Sequence, residues 1–204
     1  MTAEAAAVAA PFLWLVAGAD AAGKSHYHRR NVATRLRLPL VDPGRIARGR
    51  WPRAPERHTD EARHRAAATR DALLAARRSF AVETVFASAA DLDFLARAKE
   101  AGYVTWLTLV GLGSADLAVA RAYLRARETG RPAPSPGAIR AGDTGLRERV
   151  PSAVPLVDRL MVVDNGERGR ALRDVLLFEH GRATWRARDL PDWAVVLFAD
   201  FLRD

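Results

Sequence analysis

Eight residues near the start of the chain, Gly18-Ala19-Asp20-Ala21-Ala22-Gly23-Lys24-Ser25, satisfy G-x-x-x-x-G-K-[ST] and constrain the fold more than any other stretch of the sequence. The pattern has structural meaning only between a strand and a helix, and both flanks comply. Phe12 to Ala17 is a short apolar run with β-formers, ended by Gly18 and too short for a helix. Helical patterning runs from Gly23 to about Leu36. In such a loop, backbone N–H groups and the helix N-terminus hold phosphates, and the Ser25 hydroxyl is placed for Mg²⁺. Of the 32 basic residues only Lys24 and Lys99 are lysines, the rest being arginines. An ammonium is a compact point charge that fits against β- and γ-phosphate oxygens where a planar guanidinium would not. Asp20 is unfavourable beside phosphates unless it points outward, and it reads as a turn former.

Strands and helices continue to alternate. A second short strand is expected over Leu38 to Asp42, broken by Pro43-Gly44, and residues 45 to 58 read as an Arg/Pro-rich loop. Asp60 to Arg78 is an Ala/Arg helix, Phe80 to Glu83 a strand, and Asp91 to Ala101 a helix stopped by Gly102. Tyr103 to Val110 is the most continuous strand signal, and Ser114 caps a helix to about Glu128. Thr129 to Gly137 is a three-proline loop, Ile139 to Arg149 is helical, and Leu160 to Val163 is a strand ending in the turn signature Asp164-Asn165-Gly166. Val175 to Phe178, Ala183 to Arg186 and a helix from Pro191 complete the chain, which shows no internal repeat. This alternation predicts an α/β fold, a mostly parallel sheet between helix layers, with its ligand crevice at the carboxyl ends of the strands. We expect one domain over residues 1–204, with a core of about 10–166 and a C-terminal extension, 167–204, holding a small hairpin appendage and the final helix.

At 204 residues and 49% hydrophobic content the chain can bury a real core, which excludes disorder and fibrous folds. With no cysteine there is no disulfide staple or thiolate metal site, which fits a reducing cytoplasm. The apolar run Ala5 to Ala19 lacks a basic n-region and meets Gly18 and Asp20, so it reads as neither signal peptide nor membrane span. We expect a soluble cytoplasmic protein. A net charge of +8 suggests polyanionic partners. Arginine is spread from Arg29 to Arg203 with only 7% aromatic residues, which argues against a nucleic-acid stripe.

Glu83 and Thr84 end a strand at the carboxyl edge of the sheet, where a substrate or a metal-bound water would lie. Asp164, after four apolar residues, has the form of a Walker-B acid, but the following Asn165-Gly166 favours a turn. Arg121 and Arg125 share a helix face, and Arg131 and Arg140 flank a loop of lid length. Phosphoryl transfer uses such charges, because its transition state spreads negative charge over the equatorial oxygens. The histidines show no ligand spacing, and His26 and His28 read as ordinary polar residues of the first helix.

In order along the chain, the loop Gly18–Ser25, Leu40-Val41-Asp42-Pro43-Gly44-Arg45-Ile46-Ala47, Ser79-Phe80-Ala81-Val82-Glu83-Thr84 and Ala98-Lys99-Glu100-Ala101-Gly102-Tyr103 are followed by Arg121 with Arg125, Gly130-Arg131 with Pro134, and Pro155-Leu156-Val157-Asp158-Arg159 leading to Asp164-Asn165. Over roughly residues 10 to 166 this series resembles the zeta-toxin family, P-loop kinases of toxin–antitoxin systems and their chromosomal relatives. The resemblance implies a P-loop NTPase/kinase three-layer fold with a lid loop, and ATP or GTP with Mg²⁺ as phosphoryl donor. It also implies a small-molecule acceptor hydroxyl, for the best-known members the 3′-hydroxyl of UDP-N-acetylglucosamine, and an antitoxin protein as partner. Residues 18 to 25 then bind the nucleotide, Lys24 contacting phosphate and Ser25 the metal. Glu83 and Thr84 contact the acceptor, and Arg121, Arg125 and Arg140 stabilise charge.

The chain departs from the family seriously at one position, and its basic stretch Arg48 to Arg57 departs as well. Relatives carry Asn-x-Asp after the second strand, the Asp accepting the substrate proton, and here the matching residues are Asp42-Pro43-Gly44. In an extended strand Asp42 would face the same side about 6 to 7 Å further back. Loss of the base costs on the order of 10² to 10⁴ in rate. Three outcomes stay open: Asp42 substitutes, the acceptor differs, or the fold survives as a weak or inactive kinase. A nucleotide-binding module without transfer chemistry and a nucleic-acid-associated ATPase are the competing readings.

Overall fold

A computed structural model describes residues 10–166 and 171–203. Residues 1–9, which include the start of the Ala5–Ala19 run, lie outside the described residues. Seven strands form one sheet in the order β2-β3-β1-β4-β5-β6-β7. They are β1 (Phe12–Ala17), β2 (Leu40–Val41), β3 (Phe80–Thr84), β4 (Val104–Gly111), β5 (Arg159–Asp164), β6 (Arg173–Glu179) and β7 (Arg182–Arg186). The first five run parallel and the last two antiparallel. The two C-terminal strands, expected as an appendage, hydrogen-bond through β6 to β5 and so extend the sheet.

Because β3 and β4 pair with opposite sides of β1, the chain reverses its direction of travel across the sheet there, and a crevice opens at the carboxyl end of β1. Alternate residues of the buried strands feed two cores. Leu13, Leu15, Phe80, Val82, Leu107 and Leu160 lie on one face. Trp14, Val16, Ala81, Val110 and Val163 lie on the other. Burial on both faces explains why these segments read as continuous apolar runs rather than alternating ones.

The helices are α1 (Lys24–Tyr27), α2 (Pro43–Arg50), α3 (Thr59–Ala75), α4 (Ala89–Glu100), α5 (Ala115–Thr129), α6 (Pro136–Ala153) and α7 (Asp192–Leu197). Three expectations need correction. The first helix does not reach Leu36: α1 passes into a π turn over His28–Val32, closed by the Ala33 N–H to the His28 carbonyl at 2.9 Å. Pro43-Gly44 does not open a loop. Asp42 caps α2 by accepting the Gly44 N–H at 2.8 Å, and proline occupies the first turn, where its missing N–H costs nothing. The rest of the expected 45–58 loop holds a 3₁₀ turn over Pro55–His58. Finally, α6 starts at Pro136 with Ser135 as its cap and continues through Pro151, so it is longer than the expected Ile139–Arg149 and the three-proline loop is shorter.

Candidate nucleotide and acceptor site

Residues 18 to 23 turn from the end of β1 into α1, as the pattern requires. Gly18 (φ 154°) and Gly23 (φ 105°) occupy backbone conformations that L side chains rarely adopt, and space forbids a side chain too. A Cβ at Gly18 would lie 2.5 Å from the Val110 carbonyl, and one at Gly23 would lie 2.7 Å from Asn165 Nδ2. The loop is braced from across the sheet. Asn165, just past β5, donates its amide to the Ala22 carbonyl at 2.8 Å, and its own carbonyl accepts from Arg121 at 2.7 Å.

Lys24 folds back over the loop, its Nζ donating to the Gly18 and Ala19 carbonyls at 2.8 and 2.9 Å. Burial pushes its pKa down. Asp20, Glu83 and Asp42 push it up, and Arg125 adds to the lowering. Asp20 therefore bears on the ammonium as well as forming the turn.

Ser25 Oγ donates to Glu83 Oε2 at 2.7 Å. Glu83 is buried, and loss of solvent raises its pKa, opposed by the Ser25 hydrogen bond and Lys24 and reinforced by Asp42. A hydroxyl and a carboxylate oxygen at this spacing are hard oxygen donors of the kind Mg²⁺ takes. Among the described residues no cluster of three His, Cys, Asp or Glu side chains could hold a metal ion by itself.

Asp42 follows β2, and the register Val41↔Val82 sets it beside Glu83. Its position corrects the extended-strand expectation. Since residue 44 lies in the first turn of α2, a Cβ there would sit 3.3 Å from Asp42 Oδ1. The carboxylate of Asp42 thus occupies the surroundings of residue 44 instead of lying 6 to 7 Å behind. One oxygen holds the cap and the other lies 3.5 Å from Arg48.

The remaining candidates divide. Arg125 is near enough for its charge to act on Lys24. Arg121 braces Asn165. Arg140 pairs with Asp116 at 2.9 Å on the exposed surface, away from the loop's hydrogen bonds. The Thr84 hydroxyl donates to Asp91 at 3.2 Å and accepts the Phe86 N–H at 3.0 Å, so both capacities serve the start of α4. Asp164 makes the turn its sequence suggested, accepting the Gly166 N–H at 3.1 Å and also the Trp193 indole N–H at 2.9 Å.

Sequence reasoning missed two residues. Asn165 was visible as part of a turn signature and at the end of the resembling series, but with no role, although an amide directly after a buried strand at the sheet's carboxyl edge is a usable signal. His28, read as an ordinary polar residue, is buried at 6% exposure with Nε2 unpartnered. Nothing in its spacing announces that.

Sheet order, switch point and loop together define the class: an α/β protein of the P-loop NTPase type, the three-layer fold expected from the sequence. The resemblance to the zeta-toxin P-loop kinases is matched at the level of fold. The chain superposes on a structure of the PezAT chromosomal toxin–antitoxin system of Streptococcus pneumoniae with a TM-score of 0.63, 13% identity and coverage of 95% of this chain and 79% of that one. It superposes on the AvrRxo1-ORF1:ORF2 structure with ATP at 0.68 and 16% identity, covering 94% of this chain. The chain spans 63% of the length of that relative. A gluconokinase from Sinorhizobium meliloti matches at 0.51 and 18% identity, with coverage of 78% and 85%. No family model and no curated protein matches the sequence. Among the described residues no helix is long and apolar enough to cross a membrane.

Proposed function

We propose that this chain, acting as one domain in the cytoplasm, is an ATP- or GTP-dependent phosphotransferase of the zeta-toxin type that phosphorylates a hydroxyl of a nucleotide sugar or related small molecule. The observation that carries the reading is one carboxyl edge holding a glycine-shaped loop with Lys24, the Ser25–Glu83 pair and the Asp42 carboxylate. Residues 18 to 25 would bind the phosphates, Lys24 exchanging its two loop carbonyls for phosphate oxygens. Ser25, backed by Glu83, would hold Mg²⁺, which when bound supplies charge neutralisation at the phosphates. Asp42 would orient the acceptor hydroxyl and take its proton. Arg125 and Arg121 lie on the helix face that bears on the loop, and Arg140 would have to leave Asp116 to contribute. An antitoxin is a proposed partner, by analogy with the PezAT system.

The test is phosphorus NMR of the protein with Mg-ATP and a panel of UDP-N-acetylglucosamine, uridine and glycerol, run beside Lys24→Ala. A phosphomonoester that appears with the wild type and is absent with the variant supports the reading. No transfer to any member overturns it.

A second reading, a nucleotide-binding protein without transfer, is favoured by the engagement of Asp42 in the α2 cap and with Arg48. It predicts bound ATP that is never transferred.

A further inference from the structure

His28 lies one helical turn beyond Lys24, in the π turn that ends α1. Turns of this kind are rare and concentrate at functional sites, since the extra residue re-aims the side chains around it. The imidazole is buried and its Nε2 has no hydrogen-bond partner among the described residues. Folded proteins leave few buried polar atoms unpaired, and each such atom calls for a use.

His28 lines an open cleft of about 530 Å³ together with Asp42, Arg45 and the apolar residues Leu38, Leu40 and Ile46. Three charged groups act on it: Arg45 and Asp42 from the start of α2, and Arg29 from its own turn. Burial is the first effect and lowers its pKa, the two arginines add to the lowering, and Asp42 opposes it. At neutral pH the imidazole is therefore uncharged and able to make a directional hydrogen bond.

We propose that His28 is an acceptor-binding residue, its Nε2 pairing with a second hydroxyl of the phosphoryl acceptor while Asp42 faces the reacting one. The proposal rests on the phosphotransferase reading and narrows it: an acceptor that uses both residues carries two neighbouring hydroxyls, as a sugar or ribose does. Nε2 itself is buried here, so the pair requires the ring to turn about χ2, a soft torsion in histidine, as the acceptor enters. The contact is a hydrogen bond, and no bond to His28 forms or breaks.

The experiment measures transfer from Mg-ATP to whichever of UDP-N-acetylglucosamine, uridine and glycerol gains phosphate, for wild type, His28→Phe and His28→Gln. Phenylalanine keeps the ring and removes the nitrogens, whereas glutamine returns a polar group near the Nε2 position. The acceptor KM is expected to rise about ten- to a hundredfold in His28→Phe, the cost of leaving the buried acceptor hydroxyl without a partner. The same variant should keep kcat within about threefold and ATP affinity within about twofold, and His28→Gln should recover most of the KM. In the wild type the acceptor KM should also rise as pH falls and the imidazole gains its proton, and His28→Phe should lose that dependence. Equal KM values and pH profiles in all three proteins overturn the role of His28 and leave the phosphotransferase reading intact. So does a loss of ATP binding and thermal stability in both variants, which marks a structural residue. No transfer by the wild type overturns both.

Discussion

Gly23 and Asn165 stand 142 positions apart in the sequence and meet at the phosphate loop, and their contact allows a double-mutant cycle with a definite outcome. In Gly23→Ala the residue must hold φ near 105°, which costs an L side chain about 1–2 kcal/mol. The added Cβ would lie 2.7 Å from Asn165 Nδ2, so the amide must leave the Ala22 carbonyl and the protein loses one hydrogen bond worth about 1 kcal/mol. The single variant should thus be destabilised by about 2–3 kcal/mol. Asn165→Ala alone should lose the bond only, about 1 kcal/mol. In the double variant that bond can be lost only once, so the total should again be about 2–3 kcal/mol and not the sum of the two. Urea unfolding with unchanged slope reads these values, and titration with a fluorescent ATP analogue should show the same non-additivity in affinity. Additive costs, within about 0.3 kcal/mol, would refute the argument that the glycine is required by the brace.

Three further outcomes follow from the structure. Burial raises the pKa of Glu83, so above the ordinary carboxylate range the folded state keeps a proton that the unfolded chain has released, and stability falls as pH rises through that window. Glu83→Gln should remove this fall and raise the melting temperature at pH 8 by a few degrees while abolishing transfer; unchanged pH dependence on calorimetry would count against it. Asp158→Ala strips the acceptor from the Thr105 N–H (2.7 Å) and hydroxyl (3.1 Å), both deep in the sheet, and should lower the melting temperature by about 5–10 °C, corresponding to about 2–3 kcal/mol. A Cβ at Gly44 meets Arg48 Nη1 at 3.0 Å, the movable tip of a long side chain, so Gly44→Asp should fold and, if transfer is limited by the missing carboxylate, raise its rate about 10²-fold or more in the phosphorus NMR assay.

The elements legible in the sequence were those whose signals are local. Continuous apolar runs marked β1, β3 and β4 because parallel strands buried on both faces need no alternation. The loop was legible because its glycines, lysine and serine fall at fixed spacings within eight consecutive residues. Helix α2 was hidden by two opposing signals. Its Pro-Gly pair reads as a breaker, yet behind an Asp cap proline is a helix starter, and with only Ala47 buried the segment has no apolar stripe to betray it. The relation of Asp42 to residue 44 was misjudged for the same reason, since strand geometry was assumed where a helix begins. His28 and Asn165 were illegible in their roles because burial and bracing are made by distant parts of the chain, and Arg140 because an exposed Asp116 competes for it.

The brace from Asn165 to Ala22 also sets an order of events during synthesis. The eight residues of the loop leave the ribosome before the amide that braces their turn, which is made 143 residues later. In between, the nascent chain carries every letter of the pattern without that brace. Chains fold from the N-terminus as they emerge, but a contact of this sequence separation must wait for β5 to dock beside β4. A fragment ending before β5 would therefore contain the motif and lack the brace that holds its turn.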